Sequence, residues 1–146
     1  MLLVPLVSAQ TITGEVTAVF DGDDIEVQNN GKNLRIRLAE IDCPERGQPF
    51  SENALRFTIR LAMDRQVEVD VVEKDRYGRT VGRVTLPNGK SLNRELVRAG
   101  YAWWYKQYSS DISLGLLEMQ ARLAKRGLWA VPGATPPWEY RKENRQ

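Results

Sequence analysis

The chain has 146 residues, of which 42% are hydrophobic and 27% are charged, as is usual for a folded globular domain. This length supports one well-formed hydrophobic core, and the composition argues against a disordered chain, a fibrous repeat or a polytopic membrane protein. The net charge is only +2, but residues 1–75 hold 14 acidic and 8 basic side chains, whereas residues 76–146 hold 5 and 13.

Two gaps in the composition exclude common catalytic centres. The chain has no histidine, which excludes a Ser-His-Asp triad, a Cys-His dyad and a histidine-ligated zinc. Its single cysteine, Cys43, excludes an internal disulfide and a Cys-x-x-Cys metal site. Any catalysis must therefore depend on carboxylates, arginine, tyrosine or a metal bound by oxygen atoms.

The first 13 residues carry no charge, and Val7-Ser8-Ala9 places small residues just before Gln10, as at a signal-peptidase cleavage site. The apolar run has no basic region before it and is too short to span a bilayer. We interpret residues 1–9 as the remnant of a secretory signal, with a disordered N-terminus or a short first strand as the alternative. This predicts a secreted or periplasmic protein with no stable membrane association after processing.

The following segments are predicted to form three strands joined by tight turns and then a helix. β-branched residues favour strands over 11–20 and 24–28, and strict alternation predicts a third strand over 34–38. A helix is predicted over 51–64.

Two more strands and two more helices are predicted in the second half of the chain. Alternation favours strands over 67–71 and 79–86. Ser91 is a suitable N-cap for a short helix that ends at Gly100, and a third helix is predicted over 112–125. Five short strands with a helix after the third predict a small Greek-key barrel of the OB type over residues 10–131, followed by an irregular tail over 132–146.

Two segments, called here the first and second acidic turns, concentrate acidic side chains. They are the turn Asp21-Gly22-Asp23-Asp24 and the segment Ile41-Asp42-Cys43-Pro44-Glu45, which ends a strand. Carboxylates this close repel one another unless they are neutralised, and a hard cation with oxygen ligands is a common solution. Aspartate and glycine are also ordinary turn residues, so solvated loops are the alternative. The spacing alone leaves both interpretations open.

Four motifs in this order resemble the successive signatures of the staphylococcal nuclease family. They are Asp21-Gly22-Asp23, Arg37 five residues ahead of Asp42, Asp42-Cys43-Pro44-Glu45, and Asp75-Arg76-Tyr77-Gly78-Arg79. The resemblance runs from about residue 11 to residue 130, and the Trp103-Trp104-Tyr105 segment is similar to exported bacterial members. It implies a five-stranded OB-fold barrel with three helices. It also implies calcium-dependent hydrolysis of DNA and RNA that gives 3′-phosphate products.

The resemblance also implies a role for individual residues. The calcium ligands would be the carboxylates of Asp23 and Asp42 and the backbone carbonyl of Cys43. The catalytic residues would be Arg37, Glu45 and Arg79. Glu45 would activate or position the attacking water, and the two arginines would hold the phosphate. The substrate would be contacted by Arg76, Tyr77, and Tyr105 or Tyr108, between which the alignment does not decide.

The implied chemistry suits these residue types. Hydrolysis of an anionic phosphodiester requires charge neutralisation, which guanidiniums and a divalent cation provide, and fifteen of the 21 basic residues are arginine. A carboxylate must act as the base because the chain has no histidine. One residue departs from the family pattern, since Asp24 stands where the family mostly has threonine, and an extra carboxylate there is expected to alter metal binding or the turn.

Two other functions are compatible with an OB-type barrel. A nucleic-acid-binding module without catalysis would lack part of the catalytic set, whereas this chain retains Asp23, Arg37, Asp42, Glu45 and Arg79. A protein-interaction domain would leave the arginine-rich segment at 76–79 unexplained. We therefore expect an active nuclease that is monomeric and favours single-stranded DNA and RNA.

Overall fold

The computed structural model describes residues 10–145, so the interpreted signal remnant at residues 1–9 lies outside the described residues. Within them the strands are β1 (Thr11–Asp21), β2 (Asp24–Asn29), β3 (Lys32–Leu38), β4 (Ile41–Asp42), β5 (Gln66–Lys74), β6 (Thr80–Thr85) and β7 (Trp103–Trp104). The α-helices are α1 (Ser51–Ala62), α2 (Leu92–Arg98), α3 (Ile112–Leu123) and α4 (Pro137–Glu143). Two 3₁₀ turns lie at Lys106–Tyr108 and Gly127–Ala130.

Five strands close into a barrel in the order β1-β2-β3-β6-β5, and β5 pairs back onto β1. The pairings are antiparallel except for β3 with β6, which run parallel over Ile36–Leu38. The first three strands form the predicted meander. The predicted OB-type architecture is confirmed.

Alternating side chains on the strands fill the barrel. The fully buried ones include Val16, Ile25, Val27, Ile36, Val69 and Val84. Leu92, Leu96 and Val97 of α2 belong to the same core. Burying an aliphatic side chain of this size contributes about 1.5–3 kcal/mol, so this set supplies much of the stability of the fold.

One buried polar side chain ties the parallel strand pair to α2. The Asn93 amide donates to the carbonyls of Ala39, at 2.9 Å, and Gly82, at 3.3 Å. Its carbonyl oxygen accepts from the backbone N–H of Val84 at 3.0 Å. Asn93 is therefore satisfied by backbone groups, and it fixes the end of β3 from which the next acidic turn begins.

The three helices predicted for the barrel domain are α1, α2 and α3, but the tail over 132–146 is not irregular throughout, because Pro137–Glu143 forms α4. A seven-residue helix is marginal by itself, so its formation depends on tertiary packing. That packing is aromatic, since Trp138 stacks on Tyr105 at 5.2 Å between ring centres and meets Trp103 edge-on at 5.6 Å. A proline at the first helical position was the local signal.

The other helices follow the prediction with shifts at their ends. Ser91 caps α2 by accepting from the Arg94 N–H at 3.2 Å, as predicted. α1 ends at Ala62 and α3 at Leu123, each two residues before the predicted end. No helix in residues 10–145 is long and apolar enough to cross a membrane.

Replacing Asn93 with alanine is expected to lower the free energy of unfolding by about 2 kcal/mol, because the Val84 N–H and the Ala39 carbonyl lose their side-chain partner. The Gly82 carbonyl still accepts from the Ala39 N–H at 2.8 Å. Urea denaturation followed by circular dichroism measures the change. Asn33→Ala is the matched control, because Asn33 is exposed on β3. Equal stability of the two variants would contradict the role of Asn93.

Candidate active site

The first acidic turn, between β1 and β2, is held against α1. Thr58 donates its hydroxyl hydrogen to the carbonyl of Gly22 at 2.6 Å. A Cβ added at Gly22 would lie 2.8 Å from the Cβ of Ala54, so the turn can approach the helix this closely only with glycine. The Asp23 carbonyl also accepts from the Leu38 N–H at 2.9 Å. The Asp23 side chain is thus placed by α1 on one side and β3 on the other.

The second acidic turn is placed by the short ladder between β4 and β7, in which Asp42 pairs with Trp103. The backbone N–H of Cys43 donates to Asp23 Oδ2 at 2.7 Å, so the two turns are bonded directly. Cys43 itself is buried, and burial raises the pKa of its thiol well above the ordinary value. The side chain is therefore a neutral packing group, and Cys43 offers the site its backbone alone.

Arg37 lies between the two turns at the end of β3. Its guanidinium is 3.1 Å from Asp23 Oδ2 and donates to Asp42 Oδ1, also at 3.1 Å. It donates as well to the carbonyls of Leu38 and Ile41, at 2.8 and 3.1 Å. Only 16% of the side chain is exposed, so a buried cation holds two carboxylates from separate segments.

The two acidic turns together hold one acidic cluster, which consists of Asp21, Asp23, Asp42 and Glu45. The pKa values of two of these carboxyls, Asp21 and Asp42, are raised. Desolvation, together with the charges of Asp23, Asp24 and Glu45, raises the pKa of Asp21 to about 6. Burial likewise raises the pKa of Asp42 to about 6, against hydrogen bonding from Arg141. Burial is the largest cause of both shifts, and repulsion from neighbouring carboxylates adds to it. Because two guanidiniums, those of Arg37 and Arg141, contact this cluster of four carboxylates, the cluster keeps excess negative charge when all four are ionised.

The donors of the cluster are carboxylate and carbonyl oxygens, which with this excess charge fit a hard divalent cation such as Ca²⁺. Across residues 10–145, however, no three side chains of Asp, Glu, His or Cys are grouped closely enough to surround one metal ion. The assignment of Asp23, Asp42 and Cys43 as calcium ligands stays a prediction.

Arg141, on α4, is a site residue that the sequence did not indicate. Its guanidinium donates to both oxygens of Asp42, at 2.8 and 3.2 Å, and to Glu45 Oε1 at 2.5 Å. It also donates to the Tyr105 hydroxyl at 3.2 Å. Arg141 lies 99 residues from Asp42 along the chain. No motif or spacing in the sequence identifies Arg141 as a site residue, because it lies in a segment predicted to be irregular.

Asp24, the departure from the family pattern, is neutralised by arginines. Arg35 donates to its two oxygens at 3.0 and 2.8 Å, and Arg79 lies 3.6 Å from Oδ2. Arg79 is also held by Asp75, with its Nε at 2.8 Å from Oδ2. Asp24 is thus paired with two guanidiniums, and it links Arg79 to the turn that carries Asp23.

The residues expected to bind substrate fall into two groups. Tyr77 is 72% exposed on the β5–β6 turn, with the guanidiniums of Arg76 and Arg79 5.2 and 5.9 Å from its ring centre. On the other side, Tyr105 contacts Arg141 and meets the ring of Tyr108 edge-on at 4.7 Å, and Tyr108 is 68% exposed. Tyr105 contacts the site through Arg141, and Tyr108 is connected to the site through the ring of Tyr105. The structure joins the Arg76–Tyr77 pair to the acidic turns through Arg79.

Comparison with known proteins agrees with the motifs. Residues 35–131 match the family model described as "Staphylococcal nuclease homologue". The chain is 43% identical over 130 residues to an "Uncharacterized endonuclease" of Escherichia coli O157:H7, covering 89% of this chain and 85% of that protein. It is 36% identical over 155 residues to a "Micrococcal nuclease" of Shigella flexneri, covering 99% and 89%. The matched family segment contains Arg37, Asp42, Glu45 and Arg79, whereas Arg141 lies beyond its end.

The raised pKa of Asp21 makes the stability of the metal-free protein depend on pH. Because the folded state opposes ionisation of this carboxyl, stability falls as the pH rises from about 4 to 6. In the presence of a chelator, Asp21→Asn is therefore expected to raise the melting temperature at pH 8 by about 3 °C, with little effect at pH 3.5. Differential scanning calorimetry at the two pH values measures the effect.

Asp64→Asn is the control for this prediction, because Asp64 is an exposed aspartate outside the cluster. Equal melting shifts at pH 8 in the two variants would contradict the assigned destabilisation by Asp21.

Proposed function

The chain belongs to the staphylococcal nuclease family, and from this we propose that it hydrolyses phosphodiester bonds of DNA and RNA with the help of a divalent cation, preferably calcium, to give 3′-phosphate products. The observation that carries the proposal is the position of Arg37, buried between Asp23 and Asp42 at 3.1 Å from each. A guanidinium among carboxylates that still carry excess negative charge provides both an anion-binding group and ligands for a cation.

In this proposal each residue of the site has a distinct task. Asp23 and Asp42, with the Cys43 carbonyl, would hold the cation, which when bound would supply Lewis-acid stabilisation of charge on the phosphate. Arg37 and Arg79 donate hydrogen bonds to the non-bridging phosphate oxygens. These bonds strengthen as negative charge builds in the transition state, so the two arginines act mainly on turnover.

In this proposal Glu45 is the carboxylate that accepts a proton from the attacking water. It lies three residues after Asp42, its side chain is 34% exposed, and Arg141 donates to Oε1. Its Oε2 makes no hydrogen bond within residues 10–145, which leaves that oxygen as the acceptor. A general base needs such an accessible acceptor within hydrogen-bond reach of the water.

The exposed aromatic and basic groups at both ends of the site suit a single strand. Tyr77 and Tyr108 offer ring faces on which unpaired bases can stack, and Arg76 adds a cation for a neighbouring phosphate. Stacking of this kind requires bases that are not already paired, so we propose that single-stranded DNA and RNA are preferred. Separately, we propose that the protein acts as a monomer.

Cleavage of a single-stranded oligonucleotide is expected to require a divalent cation and to be fastest with calcium. Gel analysis after incubation with calcium, with magnesium or with excess chelator tests this, and end-labelled products show whether the phosphate stays on the 3′ side. Undiminished cleavage in excess chelator would contradict the metal assignment. Binding of the oligonucleotide without cleavage under every condition would favour a catalytically inactive binding module.

Arg37→Ala and Arg79→Ala are each expected to lower kcat by about 100-fold, because each removes a donor that acts more strongly in the transition state. Steady-state kinetics on a fluorogenic oligonucleotide give kcat and KM for each variant. Arg56→Ala is the control, since Arg56 is an exposed guanidinium paired with Glu52 on α1. Near-normal kcat in both Arg37→Ala and Arg79→Ala would contradict the proposed phosphate clamp.

Arg76→Ala is expected to raise KM with little change in kcat, because Arg76 contacts a phosphate away from the bond that is cleaved. Loss of one phosphate contact on a single strand should reduce the slope of log affinity against log salt by about 0.7. Oligonucleotide binding measured by fluorescence anisotropy from low to moderate salt gives this slope, with Arg56→Ala again as the control. An unchanged slope would remove Arg76 from the binding surface.

A further inference from the structure

Helix α4 contacts the active site through the guanidinium of Arg141. This guanidinium contacts three carboxylate oxygens and one hydroxyl, namely Asp42 Oδ1 and Oδ2, Glu45 Oε1 and the Tyr105 oxygen. The Asp42 side chain is only 1% exposed and the Arg141 side chain 33% exposed. The contact is therefore a partly buried, two-pronged ion pair, in contrast to a pair between mobile surface side chains.

Several contacts independent of Arg141 hold α4 in place. Trp138 packs against Tyr105 and Trp103, and Pro137 is buried. Just before the helix, the Thr135 carbonyl accepts from the Gln48 side chain at 2.9 Å, and Gln48 in turn accepts from the Glu45 N–H at 2.8 Å. The backbone of α4 is thus attached to the loop that carries Glu45, and this attachment sets the position of Arg141.

The shape of the guanidinium matters for what it can hold. Asp42 and Glu45 are carboxylates that lie three residues apart, Asp42 at the end of β4 and Glu45 at the start of the next turn. A planar fork with several N–H groups can bond both oxygens of one carboxylate and one oxygen of the other, and so fix the two relative to each other. The single ammonium of lysine is a point charge on a flexible chain and cannot impose that arrangement.

The charge balance is compatible with a cation at the same site. The acidic cluster holds four carboxylates and is contacted by two guanidiniums, Arg37 and Arg141. Arg37 and Arg141 therefore do not neutralise the cluster when all four carboxylates are ionised.

We propose that Arg141 is a positioning residue for phosphodiester hydrolysis, which orients the Glu45 carboxylate toward the attacking water and fixes Asp42 beside it. The inference rests on the proposed nuclease function and adds to it an element outside the matched family segment, which ends at residue 131. By bonding Oε1 of Glu45, Arg141 directs the other oxygen to the water. The active site is therefore complete only when α4 is docked.

The test compares kcat and KM of Arg141→Ala, Arg141→Lys and the control Lys142→Ala on a single-stranded oligonucleotide with calcium. Lys142 is exposed on the same helix, so its variant removes one positive charge without touching the cluster. Arg141→Ala is expected to lower kcat by about 10-fold to 100-fold, with KM within about twofold of the wild type, as is typical when a group that orients a catalytic residue is lost. Lys142→Ala should match the wild type in both constants.

Arg141→Lys keeps the charge and most of the side-chain stem, so it separates positioning from folding if the alanine variant is unstable. It is expected to remain folded and still to lose about 10-fold in kcat. Millimolar guanidinium should restore part of the activity of Arg141→Ala, because the free ion can occupy the vacated position. Wild-type kcat in Arg141→Lys, or equal kcat in Arg141→Ala and Lys142→Ala, would overturn the proposal.

Calorimetric titration with calcium in the absence of nucleic acid gives a second readout. The calcium Kd of Arg141→Ala is expected to stay within about threefold of the wild type, because loss of Asp42 positioning and loss of a repelling charge act in opposite directions. A Kd at least tenfold tighter, together with higher kcat, would show that Arg141 blocks the cation site, and would overturn the proposal.

If the wild-type protein cleaves no oligonucleotide with any divalent cation, the proposed function fails and this inference with it. An active wild type with unaffected Arg141 variants removes the inference alone.

Discussion

The ion pairs of Arg37 with Asp23 and Asp42 are the interaction on which the site depends. Two carboxylates from separate turns, one of them almost fully buried, face each other across one guanidinium. Buried carboxylates are stable only when a cation and further hydrogen bonds compensate for the lost water. Arg37 meets this condition because the carbonyls of Leu38 and Ile41 fix it, so the backbone at the end of β3 sets the distance between the two turns.

Two helices and one short strand pair hold the remaining parts of the site. α1 holds the first acidic turn through Thr58 and through the close approach at Gly22, the β4–β7 ladder holds Asp42, and α4 brings Arg141 to Glu45. A catalytic arrangement needs side chains fixed to within a fraction of an ångström, and helices and strands provide this better than loops. The barrel thus serves as a rigid frame for the candidate site residues at its rim.

In the folded protein, basic side chains of the second half of the chain form ion pairs with acidic side chains of the first half. Three arginines of the basic second half, Arg79, Arg83 and Arg141, pair with acids of the first half, respectively Asp24, Glu40 and the Asp42–Glu45 segment. These contacts link the acidic and basic halves of the chain. Of these arginines only Arg141 contacts the acidic cluster, where burial and neighbouring carboxylates raise the pKa values of Asp21 and Asp42.

The sequence by itself determined the barrel strands, the meander and the cap at Ser91, because alternation and turn chemistry are local properties of the chain. The motif order also gave the family, and it identified the residues that surround Arg37. Only the tertiary structure decided that residues 137–143 form a helix, that Asp24 pairs with two arginines and that Arg141 reaches Asp42 from 99 residues away. Those contacts arise from the packing of Trp138 against Tyr105 and from the closure of the barrel. Both bring together segments that are far apart in the chain, and such contacts produce no periodic pattern in the sequence.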